Sequence, residues 1–216
     1  MTGTLVVQDV STSGGPARLH IDRAVRPRRV LALGHGAGGG VGAPDLLAIA
    51  ARLSAASTTV VRFEQPWRVA GRSVAVAPLR LDDAWLDGLA ALPPDLRGLP
   101  LLVGGRSAGA RVACRTAASV GAVGVLGLAF PLHPPGRPER SRLPELLGVH
   151  RLTRVVQGER DPFGGPAEFP VGLDVVGVPG ADHAFGVGRA GPLSARESID
   201  FVVDAVAAWV AGMPGA

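Results

Sequence analysis

Gly105-Arg106-Ser107-Ala108-Gly109 joins the apolar run Leu101-Leu102-Val103 to the helix-like stretch from Arg111 to Ala117. That junction commits the chain to a strand, a very sharp turn and a helix. A serine between glycines at such a turn is pushed outward on a strained bend, where its hydroxyl can act as a nucleophile. The glycines remove side chains that would collide in the turn, and one of them can take a positive φ cheaply. Gly-x-Ser-x-Gly alone is ordinary turn composition. Its weight here comes from the flanking strand and helix, and from the order of the residues that follow.

The rest of the chain repeats the alternation. Leu5-Val6-Val7 and Arg18–Ile21 read as short strands around the turn Ser13-Gly14-Gly15-Pro16, and Val30–Leu33 as a buried strand ending in the glycine-rich stretch Gly34 to Gly42. Pro44 suits a first helical position, with Leu46, Leu47, Ile49, Ala50 and Leu53 at helical spacing. A strand over Thr58–Phe63, an irregular segment from Glu64 to Pro78 and a helix over Leu79–Leu92 follow. Beyond the Ser107 unit come a strand over Val123–Phe130, a loop over Pro131–Arg142, a short helix over Leu143–Leu147 and a strand over Leu152–Val156. Leu173–Val178 is the last strand. The last helix, Ser194 to Val210, has a capping box at Ser194 and Glu197. Strand and helix in alternation predict an α/β fold: a mostly parallel central sheet with helices on both faces. At 216 residues, residues 1–216 are expected to form one domain, with no insertion long enough for a lid.

Sites in such sheets form beyond the carboxyl ends of the strands. There lie Ser107, then Asp161 after Val155-Val156, then His183 after Val176–Val178. His183 is the side chain suited to take the Ser107 proton near neutral pH, and Asp161 could fix its tautomer. Asp182 and Glu159 are the rival acids; Asp182 adjoins His183 too closely in sequence for easy pairing. An oxyanion would need backbone donors. Ala108 supplies one at the helix start, and the loop Gly34-His35-Gly36-Ala37-Gly38-Gly39 offers a second at Ala37. His35, Trp67, Arg106, Phe163 and Phe185 are candidate pocket residues. Arg106, Arg68 and Arg72 could favour an anionic substrate, or could serve as structural ion pairs.

Composition removes several classes. All basic residues are arginine, the net charge is a modest +4, and Arg23, Arg26, Arg28 and Arg29 form the nearest approach to a basic run. With six Phe, three Trp and no Tyr, few rings are available to stack bases, so no nucleic-acid partner is expected. One cysteine allows neither an internal disulfide nor a cysteine metal cluster, and no metal or other cofactor is expected; Cys114 reads as a small buried residue. The N-terminal stretch lacks the signature of a secretory signal, and Val120–Leu132 is too short and too glycine-rich to span a bilayer. The expectation is a cytoplasmic protein without a membrane partner. Two other readings stay open. One is a dinucleotide-binding oxidoreductase: the Gly34–Gly39 loop also satisfies Gly-x-Gly-x-x-Gly, with Glu64 ending the next strand where a ribose-binding acid would sit, although Val41–Pro44 delays the helix. The other is a non-catalytic binding or scaffold protein built on the same α/β fold.

Taken together, these motifs resemble the α/β-hydrolase superfamily across nearly the whole chain. Within it, Arg62-Phe63-Glu64-Gln65-Pro66 and Gln157-Gly158-Glu159-Arg160-Asp161-Pro162 are similar to the small, lidless, dienelactone-hydrolase-like branch. The chain has serine where dienelactone hydrolases use cysteine, so their substrate does not carry over. The resemblance implies an acyl-enzyme on Ser107 and a small-molecule ester, thioester or related acyl substrate.

Overall fold

The computed structural model describes residues 4–73 and 75–213. Its eight strands form a single sheet. They are β1 (Leu5–Thr12), β2 (Gly15–Asp22), β3 (Arg29–Gly34), β4 (Thr58–Glu64), β5 (Leu101–Arg106), β6 (Gly124–Leu128), β7 (Leu152–Gly158) and β8 (Asp174–Val178), in the order β1-β2-β4-β3-β5-β6-β7-β8. β1, β2 and β4 pair antiparallel; every pairing from β4 through β8 is parallel.

The central strands are apolar on both sides because helices cover both faces. Along β3 the side chains alternate: Val30 and Ala32 join one core, Leu31 and Leu33 the other. The first core is closed by α3 (Pro78–Ala90), α5 (Ala108–Thr116) and α6 (Leu143–Leu147), through Trp85, Leu89, Val112 and Leu146. The second is closed by α1 (Pro44–Ser54) and α7 (Ala195–Ala211), through Leu46, Ile49, Val202, Val206 and Trp209. The capping box forms: Glu197 N donates to Ser194 Oγ (3.2 Å) and Ser194 N to Glu197 Oε2 (2.8 Å).

Three local expectations need correction. The segment after Glu64 contains α2 (Pro66–Val69), nucleated by Pro66, whose fixed φ suits a first helical turn. Pro94 does the same for α4 (Pro94–Arg97), which the sequence pattern did not announce. Strands β1, β2 and β7 run further than their apolar runs, because ladder bonds to a neighbour hold polar residues in extended conformation as readily as apolar ones.

Candidate active site

The turn between β5 and α5 is built as the glycine pattern requires. Ser107 has φ 52° and ψ −110°, a conformation that non-glycine residues rarely adopt, and its N–H donates to Leu128 O at 2.9 Å. Close backbone contact explains Gly105: a Cβ there would lie 2.6 Å from Gly34 O. Helix α5 therefore starts hard against the end of β3, and Gly36 comes beside Ser107.

Three strand-end loops converge on this turn. Ser107 Oγ lies 3.0 Å from His183 Nε2, and His183 Nδ1 lies 2.7 Å from Asp161 Oδ2. A carboxylate only accepts, so Nδ1 carries the proton and Nε2 is free to accept from the serine hydroxyl. Asp161 is buried, and its carboxylate also accepts from Phe163 N and from the Gln157 amide, both at 2.8 Å. The Phe163 ring lies over the His183 imidazole, with centroids 4.3 Å apart. The rival acids are occupied elsewhere. Asp182 accepts from Ala184 N and Gly186 N within its own turn, and Glu159 accepts from Gly180 N.

Ser107 opens into a cleft of about 470 Å³, which Ala37, Ala108, Arg106, Phe163 and His183 help to line. Among the described residues neither the Ala37 nor the Ala108 N–H has a protein acceptor. As the first helical residue, Ala108 has no partner within α5.

The glycine loop before α1 is held from beneath. His35 is buried: its Nε2 accepts from Gln65 N (3.2 Å), which leaves its Nδ1–H to donate to Gly36 O (2.9 Å). Burial pushes its pKa down, consistent with a neutral ring fixed in that tautomer. Arg62, also buried, donates to Val41 O (2.7 Å) and to Asp22 (2.9 Å), holding the far end of the loop. Arg62 and Gln65, part of the stretch that carried the family resemblance, thus brace this loop.

Several candidate pocket residues lie elsewhere. Phe185 does not line the cleft; it is buried in the second core, since its loop folds back and Ser198 Oγ donates to its carbonyl. His35 and Trp67 lie behind the glycine loop, their rings meeting edge-on at 5.4 Å, along a narrow slot rather than in the cleft. Arg106 is in the cleft but committed: it donates to His183 O (3.0 Å) and lies 3.5 Å from Asp45. Arg72 lines a different hollow, beside the β1–β2 turn. Two other arginines, Arg111 and Arg142, face the cleft and were not singled out from sequence. Gln157 was also missed. Its signal was a polar residue directly after the apolar pair Val155-Val156, at the buried end of β7.

The nucleotide-binding reading finds no support. Glu64 is taken by His20 Nε2 at 3.0 Å and by Arg18, and α1 begins only at Pro44. Among the described residues, no group of three or more His, Cys, Asp or Glu side chains is placed to hold a metal ion, and no helix is long and apolar enough to cross a membrane.

Residues 27–211 match the α/β-hydrolase domain family. This chain belongs to that family. No curated protein matches the sequence. Among solved structures, this α/β hydrolase is similar to a lidless α/β serine hydrolase from Xanthomonas campestris, with 20% identity and a TM-score of 0.70 over 95% of this chain and 94% of that one. It is also similar to a dienelactone hydrolase from Anabaena variabilis, with 15% identity and a TM-score of 0.75 over 99% and 100% of the two chains. An α/β serine hydrolase homologue from Coxiella burnetii gives 16% identity and a TM-score of 0.71 over 95% and 98%.

Proposed function

We propose that this α/β hydrolase, acting as one domain over residues 1–216, is a serine hydrolase that cleaves a small-molecule ester, thioester or related acyl bond. The observation that carries this reading is the hydrogen-bonded series from Ser107 Oγ through His183 to the buried Asp161 carboxylate, at 3.0 and 2.7 Å, opening on the cleft.

Ser107 Oγ attacks the acyl carbon as its proton passes to His183 Nε2. The carbonyl oxygen becomes an oxyanion that accepts from the N–H groups of Ala37 and Ala108. Asp161 holds the Nδ1–H and stabilises the imidazolium. The tetrahedral intermediate collapses, the bond to the leaving alcohol or thiol breaks, and His183 returns the proton to that group. Water then attacks the acyl-enzyme with His183 again as base, releasing the acid and restoring Ser107.

Intact-protein mass after fluorophosphonate treatment tests the assignment. One adduct is expected on the wild type and none on Ser107→Ala, with both proteins folded by circular dichroism. An unlabelled, folded wild type would overturn it.

A further inference from the structure

The cleft carries more positive charge than its own carboxylates neutralise. Three arginines line it, Arg106, Arg111 and Arg142, and among the described residues no acidic residue does. Two of the three are spoken for. Arg106 is tied to Asp45 and to His183 O. Arg111 forms a two-pronged pair with Glu145, at 2.9 and 2.6 Å. Glu145 is further shared with Arg115, which also binds Asp82, so the hydrogen bonds and ion pairs of these carboxylates go to Arg111 and Arg115 and none to Arg142.

Arg142 is different. It is half-buried, and its assigned hydrogen bond is from Nη1 to Pro131 O at 3.0 Å; among the described residues it makes no ion pair. That bond to the residue following the β6 turn holds the side chain against the cleft wall, with the rest of its planar donor fork available. Burial, and the like charges of Arg111 and Arg140, push its pKa down against the opposing pull of Glu145, which forms no ion pair with it. A guanidinium fixed by one donor and open at the others matches the shape of a carboxylate.

We infer that the cleft takes acyl substrates that carry a carboxylate, and that Arg142 is the residue that binds it. The inference rests on Ser107 being the nucleophile of the same cleft. Arg142 acts on specificity: it holds one end of the substrate while the chemistry occurs at Ser107.

Two matched ester pairs test this and locate the charge. 4-Methylumbelliferyl hemisuccinate against the valerate places it on the acyl side; 3-acetoxybenzoate against phenyl acetate places it on the alcohol side. In at least one pair the wild type should prefer the anionic ester in kcat/KM by about ten- to a hundredfold, the worth of a charge-assisted pair. Arg142→Gln should abolish that preference and Arg142→Lys should restore part of it. The absence of a preference in both pairs, or one that survives in Arg142→Gln, overturns the inference. A binding measurement separates it from the reading of Ser107. Chemical-shift titration of Ser107→Ala with monomethyl succinate should show saturable binding, weakened about tenfold when Arg142→Gln is added. Equal binding by the two variants, or none, overturns the anion site whatever fluorophosphonate shows; a binding difference without labelling leaves it standing and removes the nucleophile.

Discussion

The Gln157 amide nitrogen sits 2.8 Å from Asp161 Oδ2, and also 2.7 Å from Gly164 O and 3.2 Å from Phe130 O. Gln157 is fully buried at the end of β7. One amide therefore ties together the acid, the turn after it and the loop beyond β6. It fixes which way the Asp161 carboxylate faces, and through Asp161 the orientation of His183.

Gln157→Leu removes that donor and leaves buried acceptors unpaired. Such a loss costs about 1–3 kcal/mol, so kcat should fall about ten- to a hundredfold with a much smaller change in KM. Steady-state kinetics on a simple ester would show it; a KM effect with kcat intact would mean that Gln157 shapes the cleft and does not position the acid.

Asp161→Asn should lower kcat by about 10⁴-fold by disturbing the His183 tautomer. Asp182→Asn should lower it far less, because the Asp182 carboxylate serves the backbone of its own turn. The reverse ranking in a rate comparison would reassign the acid.

At φ 52°, Ser107 holds a conformation that costs a non-glycine residue about 1–3 kcal/mol. Ser107→Ala keeps that strain and Ser107→Gly releases it, less the extra entropy glycine loses on folding. In urea denaturation, Ser107→Gly should be more stable than Ser107→Ala by about 1 kcal/mol. Equal stabilities would mean that the strain stored in the turn is no larger than the entropy that glycine loses on folding.

His133 donates through both ring nitrogens when protonated, to Pro134 O and to Glu168, each at 2.9 Å, and these acceptors push its pKa up. The same contact pushes Glu168 down. The histidine's contribution to stability is full below its ordinary value of about 6.5 and is lost as pH rises through the raised value; the glutamate's is lost on acidification below the carboxylate range. Since Glu168 is about half exposed, the pair contributes at most about 1 kcal/mol, or about 2–4 °C in Tm. The Tm gap between wild type and His133→Gln should be present at pH 6 and close by pH 9. A gap that does not change with pH would exclude the charged pair.

Gly105→Ala would drive a methyl group to 2.6 Å from Gly34 O, where backbone cannot yield cheaply. A loss of about 1–3 kcal/mol is expected in chemical denaturation, and activity should fall as α5 shifts. An unchanged midpoint would show that the contact relaxes freely.

Sequence alone determined the layered α/β fold and the order of the strand-end loops, because apolar period and turn chemistry are local and survive in one dimension. Ser107, Asp161 and His183 were legible as candidates for the same reason: each sits where a strand must end. Which side chains share the cleft was decided only by the tertiary structure. Phe185 and Trp67 stand on loops beside Ser107 in the sequence pattern, yet folding buries the first in the core and sets the second behind the glycine loop. Arg106, next to the nucleophile, spends its charge on Asp45, while Arg142, 36 positions away by residue number, comes to the cleft wall with no ion pair among the described residues. Charge pairing and burial depend on distances between segments far apart in the chain. Those distances are set when the two cores close, and no local pattern records them.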